Sequence, residues 1–344
     1  MQWPDLLRNL TAGKDIGGEA AAAAMDAIMR GNVPAATLGA FLVGLAAKGE
    51  TVEELRGLAD TMRAHATAID ITDDAVDIVG TGGDGAKTVN ISTMAAIVIA
   101  ACGVRVVKHG NRAASSASGS ADVLEALGVP LDLPLDQVAA AVDRAGITFL
   151  FANVFHPSMR YAAPTRRELG IPTSFNVLGP LTNPACPRAN AIGVSSARHA
   201  PLMAGVLAER GVAAVVFRGE SGLDELTNTT INRVWWVRDG EVGEHRLDAS
   251  ELGLQKATIT DLRGGNAQEN AQVARRIFSG ADGIVAETVA LNAAAGLLAY
   301  AQASGEGGSD NLLEALRPHY HRAREVMASG APLRVLEKWA AVGR

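Results

Sequence analysis

Residues 75–102 run from a short apolar stretch, 75–79, through the turn Gly80-Thr-Gly-Gly-Asp84 into a long apolar stretch, 91–102. The first stretch has the length of a buried strand and the second that of a buried helix. A strand that turns through glycines into a helix is half of a βαβ unit, and its crossover needs a parallel partner strand. The pattern repeats. Residues 104–107, 147–151, 191–194 and 213–217 read as core strands, and 120–127 as a helix closed by Gly128. Such alternation predicts an α/β fold, with a mostly parallel central sheet flanked by helices. Residues 234–237 and 245–247 add a hairpin around Asp239-Gly240. The two ends of the chain differ in style. No strand pattern precedes Ala75, and 17–30, 34–49 and 51–65 read as helices, the last with Thr51 and Glu54 as a capping box. Residues 267–278, 287–302 and 312–329 read as C-terminal helices, with 305–309 a surface linker. A small all-helical domain and a larger α/β domain are therefore expected.

Composition removes several classes of function. Of 344 residues, 48% are hydrophobic and 20% charged, which suits a packed globular core and not a disordered chain. A net charge of −6 argues against general attraction to nucleic acid or an anionic membrane, so any anion site is local. Cys102 and Cys186 are too few for a disulfide framework or a zinc site. The greasiest stretch, 94–107, is broken by Gly103 and Arg105. No segment is expected to reach the ~18 apolar residues of a membrane span. The start, Met-Gln-Trp-Pro-Asp, shows no basic region before an apolar run, so a cytoplasmic protein is expected.

Two loops carry anion chemistry. Gly80-Thr-Gly-Gly-Asp-Gly85 satisfies G-x-G-x-x-G, but a dinucleotide site needs an acidic residue about 20 positions on. Here the next strand ends in the basic Lys108-His109. Gly85-Ala-Lys87-Thr88 is one residue out of a Walker A spacing. The loop instead reads as another kind of strand–loop–helix phosphate site, with Asn90, Ser92 and Thr93 at the helix start. Taken alone, it also reads as a plain glycine turn with Asn90 as N-cap. The second loop, Lys108-His-Gly-Asn-Arg112-Ala-Ala-Ser-Ser116, adds fixed positive charge, an amide and hydroxyls near a helix that starts at Ser120. Arg112 suits bidentate binding of phosphate oxygens and Lys108 a point charge. Asp224-Glu225 follows a strand; taken alone the pair also reads as surface decoration, and beside a pyrophosphate site it offers two carboxylates to magnesium. Arg166 ends a helix beside the apolar, proline-pinned segment 175–184. There it either clamps a carboxylate on a flat substrate or pairs with a neighbour such as Glu168.

These strings together resemble the anthranilate phosphoribosyltransferases of tryptophan biosynthesis. The resemblance runs over nearly the whole chain. It includes Asp77-Ile-Val-Gly-Thr-Gly-Gly-Asp84, Asn90-Ile-Ser-Thr93, Lys108-His-Gly-Asn-Arg112, Ser118-Gly-Ser-Ala-Asp122, His156-Pro157, Arg166-Arg-Glu-Leu-Gly170, Leu178-Gly-Pro-Leu-Thr-Asn-Pro184 and Asp224-Glu225. It implies a nucleoside phosphorylase/phosphoribosyltransferase-like fold that works as a homodimer. The helical domain would be 1–72 with a returning segment at about 165–187, and the α/β domain 73–164 and 188–344. By family motif, phosphoribosyl diphosphate would be held by Gly80, Gly83, Asp84, Thr88, Asn90, Ile91, Ser92, Thr93, Lys108, His109, Gly110, Asn111, Arg112, Ala113, Ala114, Ser115, Ser116 and Ser120. Gly80, Asn111 and Arg166 would contact anthranilate, and Ser92, Asp224 and Glu225 would bind Mg2+. Lys108 and Arg112 would stabilise charge on the leaving pyrophosphate. Ala117 stands where many such chains have lysine, and Asn153-Val-Phe155 and Tyr161 also depart from the usual strings, lining the anthranilate approach that the resemblance implies.

Two other families share the architecture. Pyrimidine nucleoside phosphorylases resemble a Lys-x-Ser-Gly-Arg-Gly string where this chain has Lys108-His-Gly-Asn-Arg112, and they have no need of Asp224-Glu225. A nucleic-acid-binding relative would be expected to carry a basic surface, against the net charge of −6.

Overall fold

The structure is a computed structural model that describes residues 2–113, 117–306 and 308–343. Ala114, Ser115 and Ser116 of the second loop lie outside the described residues. The chain divides into two units: Met1–Ala68 with Ala152–Pro184, and Ile69–Phe151 with Ala185–Arg344.

The first unit is all helical, with helices Trp3–Thr11, Gly17–Met29, Ala35–Lys48 and Val52–Ala64. Gly17–Met29 and Val52–Ala64 approach so closely that a Cβ on Gly57 would overlap the Gly18 carbonyl group. Thr51 and Glu54 form the expected capping box, with Glu54 N–H donating to Thr51 Oγ1 at 3.2 Å. The buried Lys48 ammonium donates to the same Glu54 at 2.8 Å. The return of the chain begins at Ala152, earlier than the position near 165 expected from sequence. Residues 152–169 form only short pieces, Ala152–Phe155, Pro157–Tyr161 and Ala163–Leu169, too brief to show a helical period. They pack on the long helices. The Tyr161 ring lies against Gly31, where a Cβ would come within 2.8 Å of it, and Thr165 lies against Gly39. Tyr161 thus packs on the end of Gly17–Met29, while Phe155 is buried.

The second unit is built on seven strands: β1 Val76–Gly80, β2 Val106–Gly110, β3 Ile147–Phe151, β4 Ala189–Gly193, β5 Ala213–Gly219, β6 Asn232–Arg238 and β7 Glu241–Leu247. Their order is β3-β2-β1-β4-β5-β6-β7. The first five strands in that order are parallel, and β6 and β7 run antiparallel as a hairpin. Asp239 and Gly240 close it with φ of 51° and 79°, the two positive values a type I′ turn requires. Helix Ile284–Ala303 packs on β1, β4, β5 and helix Ile91–Ala101. Gly296 lets it in: a Cβ there would sit 2.5 Å from Ile99 Cδ1. Contrary to the sequence expectation, this helix is long and apolar enough to cross a membrane, and it is the one such helix among the described residues. It is mostly buried because it is the central core helix of this unit. The terminal helix Ala331–Ala340 was not expected, and it covers Ile91–Ala101 and Leu135–Ala145.

Candidate active site

β1 has β2 on one side and β4 on the other, so the chain reverses its direction of build at the C-terminal ends of β1 and β4. Open parallel sheets place ligands at such a switch point. Both strands end there in a glycine, and Gly80 and Gly193 are register partners. Asp224 sits across the two. A Cβ on Gly80 would lie 3.1 Å from its Cγ, and one on Gly193 would lie 2.5 Å from its carbonyl carbon. The loop after β1 coils over this point with positive φ at Gly82, Gly83 and Gly85. Gly82 N–H donates to Asp224 Oδ2 at 2.6 Å and Ala86 N–H to Asp84 Oδ1 at 3.0 Å. Among the described residues, nothing accepts from the N–H groups of Gly83, Asp84 or Gly85. Three free N–H groups on a coiled glycine loop form an anion cradle. Ser195, at the end of β4, braces it: Ser195 Oγ donates to the Gly82 carbonyl at 2.8 Å and Arg218 Nε holds the Ser195 carbonyl at 2.8 Å.

Beside the cradle lies an acid cluster. Asp224 and Glu225 are buried, and Asp84 shares a side-chain hydrogen bond with Asp224. Burial, then the nearby Asp84, push Asp224 up to about 7. Burial, then Asp224, push Glu225 well above the usual carboxylate range, against the pull of Lys108. Ser92 N–H, in the first turn of Ile91–Ala101, donates to Glu225 Oε1 at 3.2 Å. The buried Thr93 hydroxyl one residue on has no hydrogen-bond partner among the described residues. Acids crowded together at this burial fit a hard divalent cation. No group of three or more His, Cys, Asp or Glu side chains among the described residues is placed to ligate a metal.

Buried amides hold the acid loop, and sequence patterning gives no sign of them. Asn292, on the core helix, accepts from Leu226 N–H at 2.9 Å and donates to the Leu226 carbonyl at 2.8 Å. Asn232 does the same for Thr227, at 2.8 Å in each direction. Asn292→Ala strands both Leu226 groups without water. Each orphaned group costs about 1–3 kcal/mol, so we expect urea unfolding to show a loss of about 2 kcal/mol or more. The apparent magnesium affinity should fall with it; an unchanged midpoint would exclude this role.

The second loop departs from expectation in two ways. Lys108 and His109 lie inside β2, not at its end, and both are buried. Lys108 Nζ donates to the Ile78 carbonyl. Burial depresses its pKa while Asp77 and Glu225 raise it. It is thus a buried counter-charge to the acid cluster, and in this structure it is not a solvent-facing point charge. His109 N–H donates to Asp77 Oδ1 at 3.1 Å. Arg112 meets Glu125 at 2.5 and 2.8 Å and Asp122 at 2.9 Å, with its side chain 43% exposed. Its guanidinium is therefore occupied by carboxylates of helix Ser120–Leu127. The Asn111 carbonyl accepts from Ser120 Oγ at 3.1 Å, which ties the loop to that helix. Thr88 pairs with Arg263 in an isolated bridge.

In the helical unit, Arg166 stacks over the Phe175 ring at 5.0 Å. Burial alone moves its pKa, downward, and no acid among the described residues pairs with it. The alternative of a local pair with Glu168 is not what forms. A planar guanidinium held over an aromatic ring keeps the fork geometry that suits a carboxylate. His156 is also buried, which pushes its pKa down to about 4 and keeps it neutral.

The fold and its two matched parts define a transferase class. Residues 72–332 match the α/β domain of the glycosyl transferase family, and 4–66 match that family's helical bundle domain. An anthranilate phosphoribosyltransferase from Arthrobacter sp. (strain FB24) is 54% identical over 343 residues, 99% of this chain and 96% of the relative. The crystal structure of anthranilate phosphoribosyltransferase from Thermus thermophilus superimposes with a TM-score of 0.90 at 43% identity, covering 98% of this chain and 99% of that one. The enzyme from Saccharomyces cerevisiae, solved in complex with PRPP and Mg, gives a TM-score of 0.84 at 26% identity, covering 98% and 96%. This chain belongs to the anthranilate phosphoribosyltransferase family.

Proposed function

We propose that the chain transfers the phosphoribosyl group of 5-phosphoribosyl 1-diphosphate to the amine of anthranilate, giving N-(5-phosphoribosyl)anthranilate and pyrophosphate in the presence of magnesium. One observation carries this reading: an anion cradle of free N–H groups stands directly beside a buried acid cluster. A bare anion would be repelled by the acids and a bare cation by the cradle. A metal-bound diphosphate satisfies both. A nucleoside phosphorylase, whose anionic substrate is a single phosphate and not a diphosphate, has no need of the acids.

The amine nitrogen forms a bond to the ribose anomeric carbon as the bond to pyrophosphate breaks, and the amine proton passes to solvent. Magnesium, when bound by Asp224, Glu225 and Ser92, supplies the charge that makes pyrophosphate a better leaving group. The cradle N–H groups of Gly83 and Asp84 face the growing negative charge without reorganising. Lys108 supports the site from beneath Glu225. Arg112 reaches phosphate by exchanging Glu125 and Asp122 for it. Arg166 holds the anthranilate carboxylate, a role that the family resemblance implies. We also propose that the protein works as a cytoplasmic homodimer, which the family resemblance supports.

The direct test mixes the protein with phosphoribosyl diphosphate, magnesium and anthranilate and follows anthranilate fluorescence. Chelator-sensitive loss with pyrophosphate release is expected; turnover of uridine or thymidine with phosphate instead would overturn the reading. Arg166→Ala is expected to raise the KM for anthranilate roughly tenfold to a hundredfold, the worth of a charge-assisted hydrogen bond. The KM for phosphoribosyl diphosphate should stay nearly the same, and an equal rise in both would remove Arg166 from the acceptor site.

A further inference from the structure

We infer that Asn270 is a positioning residue for the phosphoribosyl diphosphate site and acts through Asn90, an inference that rests on the function proposed above. Asn270 is buried on helix Ala267–Phe278. Its Oδ1 accepts from the Gly265 N–H at 2.8 Å, which leaves Nδ2 to donate to Asn90 Oδ1 at 2.9 Å. Asn90 Nδ2 then donates to the Ser118 carbonyl at 2.9 Å. The chain of bonds starts at a backbone N–H and ends at a backbone C=O. Reversing either amide would set donor against donor or acceptor against acceptor, so the sense of both side chains is dictated.

The tie joins the two helix starts that follow the anion loops. Asn90 stands immediately before helix Ile91–Ala101, whose first turn holds Ser92 and Thr93. Ser118 stands two residues before helix Ser120–Leu127, which closes the second loop. Asn90 occupies the N-cap position of its helix, yet its side chain makes no capping hydrogen bond. Its amide is given to the tie instead. The segment before Asn270 supports the same place: Val89 N–H donates to the Leu262 carbonyl and Gly264 N–H to the Lys87 carbonyl, both at 2.9 Å. The packing is close, for a Cβ on Gly264 would lie 2.7 Å from Asn270 Oδ1 and 2.9 Å from the Thr88 carbonyl oxygen. A site that stabilises charge by fixed dipoles depends on such support. Without the tie, both loops persist but lose their fixed spacing.

N270D keeps the volume and sets an acceptor against Asn90 Oδ1. The KM for phosphoribosyl diphosphate should rise about tenfold or more, as for a buried polar group left unpaired. The KM for anthranilate should stay within about twofold, a split that a general loss of folded protein does not produce. In an N90A background, N270D should add little, because the two residues act as one unit. Amide exchange at residues 117–123 should quicken in N270D and in N90A alike. N270A, which removes the amide without a charge, is read the same way if N270D folds poorly. Effects that multiply across the two positions, or unchanged exchange at 117–123, would overturn the inference. A parent protein that fails to turn over would instead overturn the proposed function, and the exchange measurement would still decide the tie.

Discussion

Replacing Asp224 by Asn and Glu225 by Gln together is expected to cut magnesium-dependent kcat/KM by about a thousandfold, the worth of several kcal/mol of metal-borne charge stabilisation. The two carboxyls are buried, Asp224 beside Asp84 and Glu225 beside Lys108. Loss of the fold is a poor alternative explanation. A carboxyl whose folded pKa is raised binds its proton more tightly folded than unfolded, so it withdraws stability as pH climbs through its unfolded value toward its folded one. For Asp224 that window runs from the ordinary carboxylate range to about 7. Above it, the parent carries the full penalty in chelator and the amide variant does not. Urea unfolding in chelator above pH 7 should therefore show the variant as stable as the parent or more so, while turnover collapses. Full activity at saturating magnesium would remove these residues from the metal site.

What was legible in the sequence follows the range of the interactions. The βα unit at Gly80, the Thr51–Glu54 capping box and the Asp239-Gly240 turn are local devices. Each is set by residues within a few positions of each other, so pattern alone finds them. Asp224 and Glu225 were legible as chemistry, but their partners were not. Asn292 reaches Leu226 and Asn270 reaches Asn90 across long stretches of chain, and a single buried amide has no period to betray it. The surroundings of the charged residues were not legible, because sequence counts charge without showing burial or competition. Lys108 bonds the Ile78 carbonyl from within β2, and Arg112 meets Glu125 and Asp122. Arg166 is the converse. Its neighbour Glu168 offers a pairing that the helix does not make, and only the structure reveals a guanidinium without an acid among the described residues.

Gly193→Ala is expected to be the most damaging single methyl group in the α/β unit. Gly193 ends β4 with ordinary backbone angles, so conformational freedom is not its reason for being glycine. The reason is approach. An added Cβ would overlap the Asp224 carbonyl oxygen, sit 2.5 Å from the carbonyl carbon and touch Phe217 at 3.2 Å. A flexible side chain could swing away, but the obstacle is backbone, and that backbone is pinned behind by Asn292 through Leu226. Either β4 or the acid loop must give by about an ångström. Overpacking of this kind costs about 1–3 kcal/mol of stability, and an ångström of misplacement at a catalytic site costs about a hundredfold in rate. Gly82→Ala makes the contrast. Its φ of 70° is strained for alanine, but no atom lies within 4 Å of the added carbon. It should lose about 1–2 kcal/mol from backbone strain and leave the magnesium requirement alone. Turnover measured across a magnesium titration separates the two. If Gly193→Ala keeps the parent's magnesium midpoint and rate, Asp224 is not set by its seat on β4, and the acid loop must be positioned from the helix side alone.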